Sequence, residues 1–188
     1  MKVLAGKNKE GFHTWTAEEI ERFEERWQIG TRERLALVLL LYTGLARGDA
    51  VRLGRQHVKD GVITFRMEKN RGDGMVYPPV LPILAETIAK SPCGDLTFLV
   101  SERGTPFKKE SFGNWFRDVC REAGCPGSAH GLRKAAATRC AENGATVNQL
   151  MALFGWKSEK MALAYTRKAD RKKLAAGAGQ LLNKMPAP

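Results

Sequence analysis

The sequence predicts an α+β domain, mainly α, in which a small antiparallel β-sheet lies on one side of a helical body, and three observations point to it. Leu35 to Tyr42 is apolar on nearly every side, as in a helix at the centre of a core. Asp60-Gly61 stands between β-branched residues in Val58-Lys59-Asp60-Gly61-Val62-Ile63, a strong hairpin signal. From Leu84 a helical period resumes and carries most of the remaining chain. At 188 residues the chain holds one sizeable core and is short for two domains.

The elements follow in order. Residues 1–13 lack periodicity and are expected to form a linker or arm; the domain is expected over 14–167 and a basic tail with a short helix over 168–188. Thr16-Ala17-Glu18-Glu19 is a capping box that opens a helix through about Trp27. A second helix follows Gly30 and ends at Thr43-Gly44, with a short third near Asp49 to Leu53. Val62 to Met67 is predicted as one strand that enters the polar loop Glu68 to Gly74 and returns as Met75 to Tyr77. Helices are predicted at about 82–90, 108–123, 129–142, 147–154 and 159–167, with a strand at Phe98 to Val100. No repeat of 20 to 50 residues is present, which excludes solenoids and propellers.

Charge narrows the partner class. The net charge is +11, and Met151 to Pro188 carries eight basic residues against Glu159 and Asp170. Nucleic acid is the partner such an excess fits. The longest apolar run has 8 residues where a bilayer span needs about 20, so no membrane partner is expected. The start lacks signal-peptide logic, and a cytoplasmic location is expected. The four cysteines form no CxxC and the three histidines no pairs with them, so neither a disulfide framework nor a metal site is expected.

Four segments carry chemistry. In His130-Gly131-Leu132-Arg133, Ser128 caps a helix whose first turn sets His130 and Arg133 three apart on one face, an arrangement that suits a phosphate. Leu153-Phe154-Gly155-Trp156 ends a helix at glycine with an aromatic just beyond. Tyr165 lies nine residues after Trp156, and Lys69 sits on the hairpin loop. Singly, each has a plainer explanation: a packed core tyrosine, a hydrophobic cap contact, a surface histidine, a salt-bridged arginine and ordinary loop charge.

Together, in this order, these residues resemble the catalytic domain of the tyrosine recombinases, the phage integrase family, from about Thr14 to Leu182. That family pattern has an Arg just after a Thr-Gly turn, a hairpin Lys, His-x-x-Arg, a His or Trp after a Gly turn, and a nucleophilic Tyr. Thr43-Gly44, Lys69, His130, Arg133, Trp156 and Tyr165 occupy those places. One position departs: the pattern Thr-Gly-x-Arg-x-x-Asp/Glu is matched by Thr43-Gly44-Leu45-Ala46-Arg47-Gly48-Asp49, with Ala46 where the first arginine belongs. Arg47 is one step along, and on a helix that step turns a side chain by roughly 100°, away from the phosphate.

The resemblance implies a site-specific recombinase or integrase domain, from a bacterium or phage and associated with the nucleoid, acting on double-stranded DNA as a homo-oligomer and monomeric when free. It implies that Tyr165 attacks a phosphodiester to give a 3′-phosphotyrosine, with no nucleotide cofactor and no essential metal. Lys69 then protonates the leaving oxygen, His130 exchanges a proton with the phenol, Arg133 grips the phosphate, Trp156 offers its indole N–H, and Asp49 buttresses from behind. Arg47, Arg71, Lys134, Lys157 and Arg167 are the expected DNA contacts. Loss of one guanidinium predicts a domain that holds DNA and cleaves it poorly. Nothing before Thr14 is long enough for the helical clamp domain that accompanies the family, so an isolated catalytic domain is expected. A silent DNA-binding domain of the same fold, a type IB topoisomerase-like enzyme and a helix-turn-helix regulator are the other readings.

Overall fold

Capping chemistry sets the first two helices in a computed structural model that describes residues 12–68, 74–167, 169 and 171–182, the last stretch with side chains at 174–180. Thr16 accepts from Glu19 N while the Glu19 carboxylate accepts from Thr16 N at 2.9 Å, and α1 (Ala17–Arg26) buries Ile20 and Phe23. Thr31 caps α2 (Arg32–Thr43), which ends at Gly44 in the left-handed conformation, φ 65°. Leu35 through Leu40 are all fully buried, because α2 runs between α4 (Pro82–Lys90) and α6 (Ala129–Glu142). At about 1.5–3 kcal/mol for each large buried aliphatic side chain, this helix is the main source of core stability.

The hairpin forms at Asp60 and Gly61, whose φ values of 50° and 74° give the doubly left-handed turn that matches strand twist. It pairs β1 (Val58–Lys59) with β2 (Val62–Ile63), Val58 opposite Ile63. The single strand expected over Val62 to Met67 is divided. Thr64 N turns back to His57 O at 2.8 Å, and β3 (Phe65–Arg66) then pairs with a different partner, β4 (Met75–Val76). Two antiparallel ladders result, since the halves of the segment face opposite neighbours. No strand forms at Phe98 to Val100: Val100 makes one isolated bridge to Pro106, which has no N–H to extend a ladder.

The third helix starts earlier than expected. α3 is Arg47–Ala50, with Ala46 as its extended N-cap at φ −71°, ψ 156°, and Ala46 O accepts from Asp49 N and Ala50 N, each at 2.9 Å. The remaining helices, α5 (Lys109–Glu122), α7 (Val147–Phe154), α8 (Glu159–Thr166) and α9 (Arg171–Leu182), follow the helical periodicity. Among the described residues no helix is long and apolar enough to cross a membrane.

Candidate active site

The sharp exits from α2 and α7 come together around one arginine. Gly44 and Gly155 both end their helices left-handed, at φ 65° and 62°. A β-carbon at Gly44 would lie 2.6 Å from the Phe154 ring, so only glycine lets the two turns meet. Into this junction α6 projects Arg133, which donates through Nη1 to Gly44 O and through Nη2 to Phe154 O at 2.6 Å. Its Cζ lies 5.3 Å from the Phe154 ring centroid and 6.0 Å from that of Trp156. The backbone carbonyls thus orient the guanidinium, and the aromatic faces hold it by cation–π attraction.

The aromatic groups continue as a stack. Phe154 lies 4.9 Å from Trp156, and Trp156 lies 5.3 Å from Tyr165 with the planes 9° apart. Burial raises the Tyr165 phenol above its ordinary 10.0, while the Arg133 charge pulls it down by less. Burial also lowers the Arg133 guanidinium, against the supporting charges of Asp49 and Tyr165. The phenol is therefore neutral at pH 7 and needs a base to act as a nucleophile. An ultraviolet difference titration of the chain against Tyr165→Phe is expected to place this phenol above 10.0, and Arg133→Gln, which removes the charge and keeps the bulk, to move it higher still. A phenol titrating below 10.0 would mean that the charge outweighs the burial.

Asp49 ties this junction to the hairpin. Its buried carboxylate accepts from Glu68 N at 2.8 Å and from Arg52 Nη1 at 3.3 Å. A charge-assisted bond of this kind contributes about 1.5–3 kcal/mol and fixes the point where the polar loop departs. Lys69 and Arg71 belong to that loop and lie outside the described residues.

Beside the junction a cleft of about 560 Å³ takes in Ala46, Arg47, Asp49 and His130. Ser128 caps α6 by accepting from Gly131 N, which leaves His130 exposed in the first turn, its ring 4.6 Å from that of Phe12. Lys134 Nζ donates to Phe12 O at 2.5 Å, so this expected DNA contact is engaged with the arm in the free chain. Lys157 and Arg167 are exposed at the two ends of α8. The sequence reading missed the opposite wall, where Lys109, Gly113 and Arg117 come from one face of α5. Their four-residue spacing was the available signal. Phe154 lies within Leu153 to Trp156, yet its contact with Gly44 and Arg133 depends on residues far away in the chain.

Comparison with known proteins shows the family. A model of the phage integrase family matches residues 14–172. The chain belongs to that family. It is 27% identical over 157 residues to the integrase of Mycobacterium phage L5, a match that covers 70% of this chain and 42% of that protein. The integrase-family domain described here therefore spans about two fifths of that relative's length. Its fold is similar to XerA recombinase, with TM-score 0.71, 21% identity and coverage of 97% of this chain and 68% of the other. It is also similar to the Tn1549 transposon integrase in complex with transposon right end DNA, with TM-score 0.75, 17% identity and coverage of 95% and 69%. A lambda integrase dimer bound to a COC′ core site gives TM-score 0.69 at 23% identity, covering 89% of this chain and 64% of that one.

Proposed function

We propose that this integrase-family domain breaks and rejoins double-stranded DNA through a 3′-phosphotyrosine on Tyr165, and that it does so slowly because Ala46 takes the place of an arginine. The observation that carries the reading is the stack of Phe154, Trp156 and Tyr165, which holds the phenol beside the Arg133 guanidinium. Tyr165 Oη attacks phosphorus and its proton passes to His130. The bond from phosphorus to the 5′ oxygen breaks, and that oxygen leaves with the electron pair and takes a proton from Lys69. The bond energy stays in the phosphotyrosine, and the reverse attack by a 5′ hydroxyl rejoins the strand. Arg133 turns its fork from the Gly44 and Phe154 carbonyls to the phosphate oxygens, and the Trp156 indole N–H adds a further donor.

Exposed Lys157 and Arg167, with Arg71, follow the flanking phosphates, and Lys134 joins them when the arm lifts from it. Arg47 is the remaining DNA contact, and Asp49 holds Glu68, the residue just before Lys69. The reading places the domain in the cytoplasm, monomeric when free and assembled as a homo-oligomer on DNA, with 14–167 as the catalytic unit and 168–188 as its basic tail.

The test is covalent trapping on a nicked duplex from the candidate attachment site, where loss of the short strand prevents rejoining. An adduct from Ala46→Arg that disappears in Ala46→Arg with Tyr165→Phe is the expected result. Binding without any adduct, in every variant, would favour a silent DNA-binding domain, the reading that Ala46 itself favours.

A further inference from the structure

Arg47 directly follows the position where the family pattern has its first arginine. No helical step of roughly 100° separates the two side chains, because Ala46 is an extended N-cap and α3 begins only at Arg47. The Arg47 side chain crosses from α3 to α5 and lies over Gly113, where a β-carbon would come within 3.0 Å of its Cζ and closer still to Nη1. That crossing keeps it in the cleft shared with Ala46 and His130.

Arg47 is half-buried, and among the described residues no ion pair or side-chain hydrogen bond holds it. The other cations of the cleft have acidic neighbours: Lys109 lies 3.7 Å from Glu68, and Arg117 lies 4.0 Å from Asp118. The Asp49 carboxylate is occupied by Glu68 N and Arg52. A guanidinium with no ion pair among the described residues has its donor fork open to a bound anion.

We propose that Arg47 supplies a second guanidinium to the DNA phosphate, reaching it across Gly113 and partly replacing the arginine that position 46 lacks. The inference rests on the strand-transfer reading above. Gly113 is then the residue that makes room for this route, since any side chain there would push the guanidinium aside.

The experiment measures Tyr165 adduct formation on the nicked duplex with the chain, Arg47→Ala, Arg47→Lys, Gly113→Ala, Ala46→Arg, and Ala46→Arg combined with Arg47→Ala. Arg47→Ala is expected to slow the chain by roughly 10- to 100-fold, the size of one charge-assisted hydrogen bond. Arg47→Lys falls between, and Gly113→Ala slows the reaction in the same direction by displacing the guanidinium while residue 47 stays an arginine. Adding Ala46→Arg to Arg47→Ala restores the rate, which a folding defect would not allow. On a methylphosphonate at the scissile position, where the phosphate charge is absent, Arg47→Ala and the chain react alike.

Three results overturn the proposal and leave the strand-transfer reading standing. They are an Arg47→Ala rate equal to that of the chain, an adduct from Ala46→Arg with none from the chain, and an Arg47→Ala deficit that persists on the methylphosphonate. Failure of every variant, Ala46→Arg included, to form a Tyr165-dependent adduct overturns the strand-transfer reading itself and this inference with it.

Discussion

Ala46→Arg is expected to speed Tyr165 adduct formation by roughly 100- to 1000-fold, the usual effect of one well-placed donor to a developing oxyanion. The backbone is ready for the change. Ala46 is an extended N-cap whose role in α3 is played by its carbonyl, so any L-residue fits, and its side chain faces a cleft of about 560 Å³. The new guanidinium enters the cleft that Asp49 and His130 also line. As the phenol attacks, negative charge gathers on the non-bridging oxygens, so a cation there stabilises the transition state more than the bound substrate. DNA affinity should change by no more than about threefold, one phosphate contact among many. Single-turnover rates at saturating protein separate the two effects. A rate unchanged at saturation would remove position 46 from the phosphate grip, and a tighter complex with no faster cleavage would make it a binding residue only.

How far the sequence revealed the fold depends on how local each determinant is. The Thr16 capping box, the Asp60-Gly61 turn and the all-round apolar α2 are written within a few residues, and the structure follows them. The break at Thr64 was not legible, because it reflects a change of partner from β1 to β4, which no residue within Val62 to Met67 states. The start of α3 was misplaced for a related reason. Its first turn follows from Ala46 being an extended N-cap just after left-handed Gly44, and the room at Gly44 is shared with Phe154, which comes from far along the chain. In the candidate site, the helix start that carries His130 and Arg133 and the glycine cap before Trp156 are local, but that Arg133 enters the Gly44 and Phe154 junction while His130 lies exposed against Phe12 is set by long-range packing. The wall made by Lys109, Gly113 and Arg117 exists only because α5 packs against α3, which no local pattern states.

Phe154→Ala should be the most damaging single truncation near the site, costing about 3–5 kcal/mol of stability by removing a fully buried ring and leaving a cavity. Against the 5–15 kcal/mol typical of a domain, that is a large share. The ring also touches three parts of the site at once. It fills the space left by the missing β-carbon of Gly44, lies 5.3 Å from Arg133 Cζ, and stacks beneath Trp156 at 4.9 Å. Its loss therefore frees the guanidinium and lets Trp156 settle away from Tyr165, so adduct formation should fall even at temperatures where the variant stays folded. Phe98→Ala supplies the comparison. That ring is equally buried, but it packs near Leu53 and Arg55, away from the stack. Chemical denaturation should give similar stability losses for the two variants in an Ala46→Arg background, with adduct formation by the folded fraction lost only for Phe154→Ala. If both variants kept the same rate per folded molecule, Phe154 would be a core residue with no part in seating Arg133 and Tyr165.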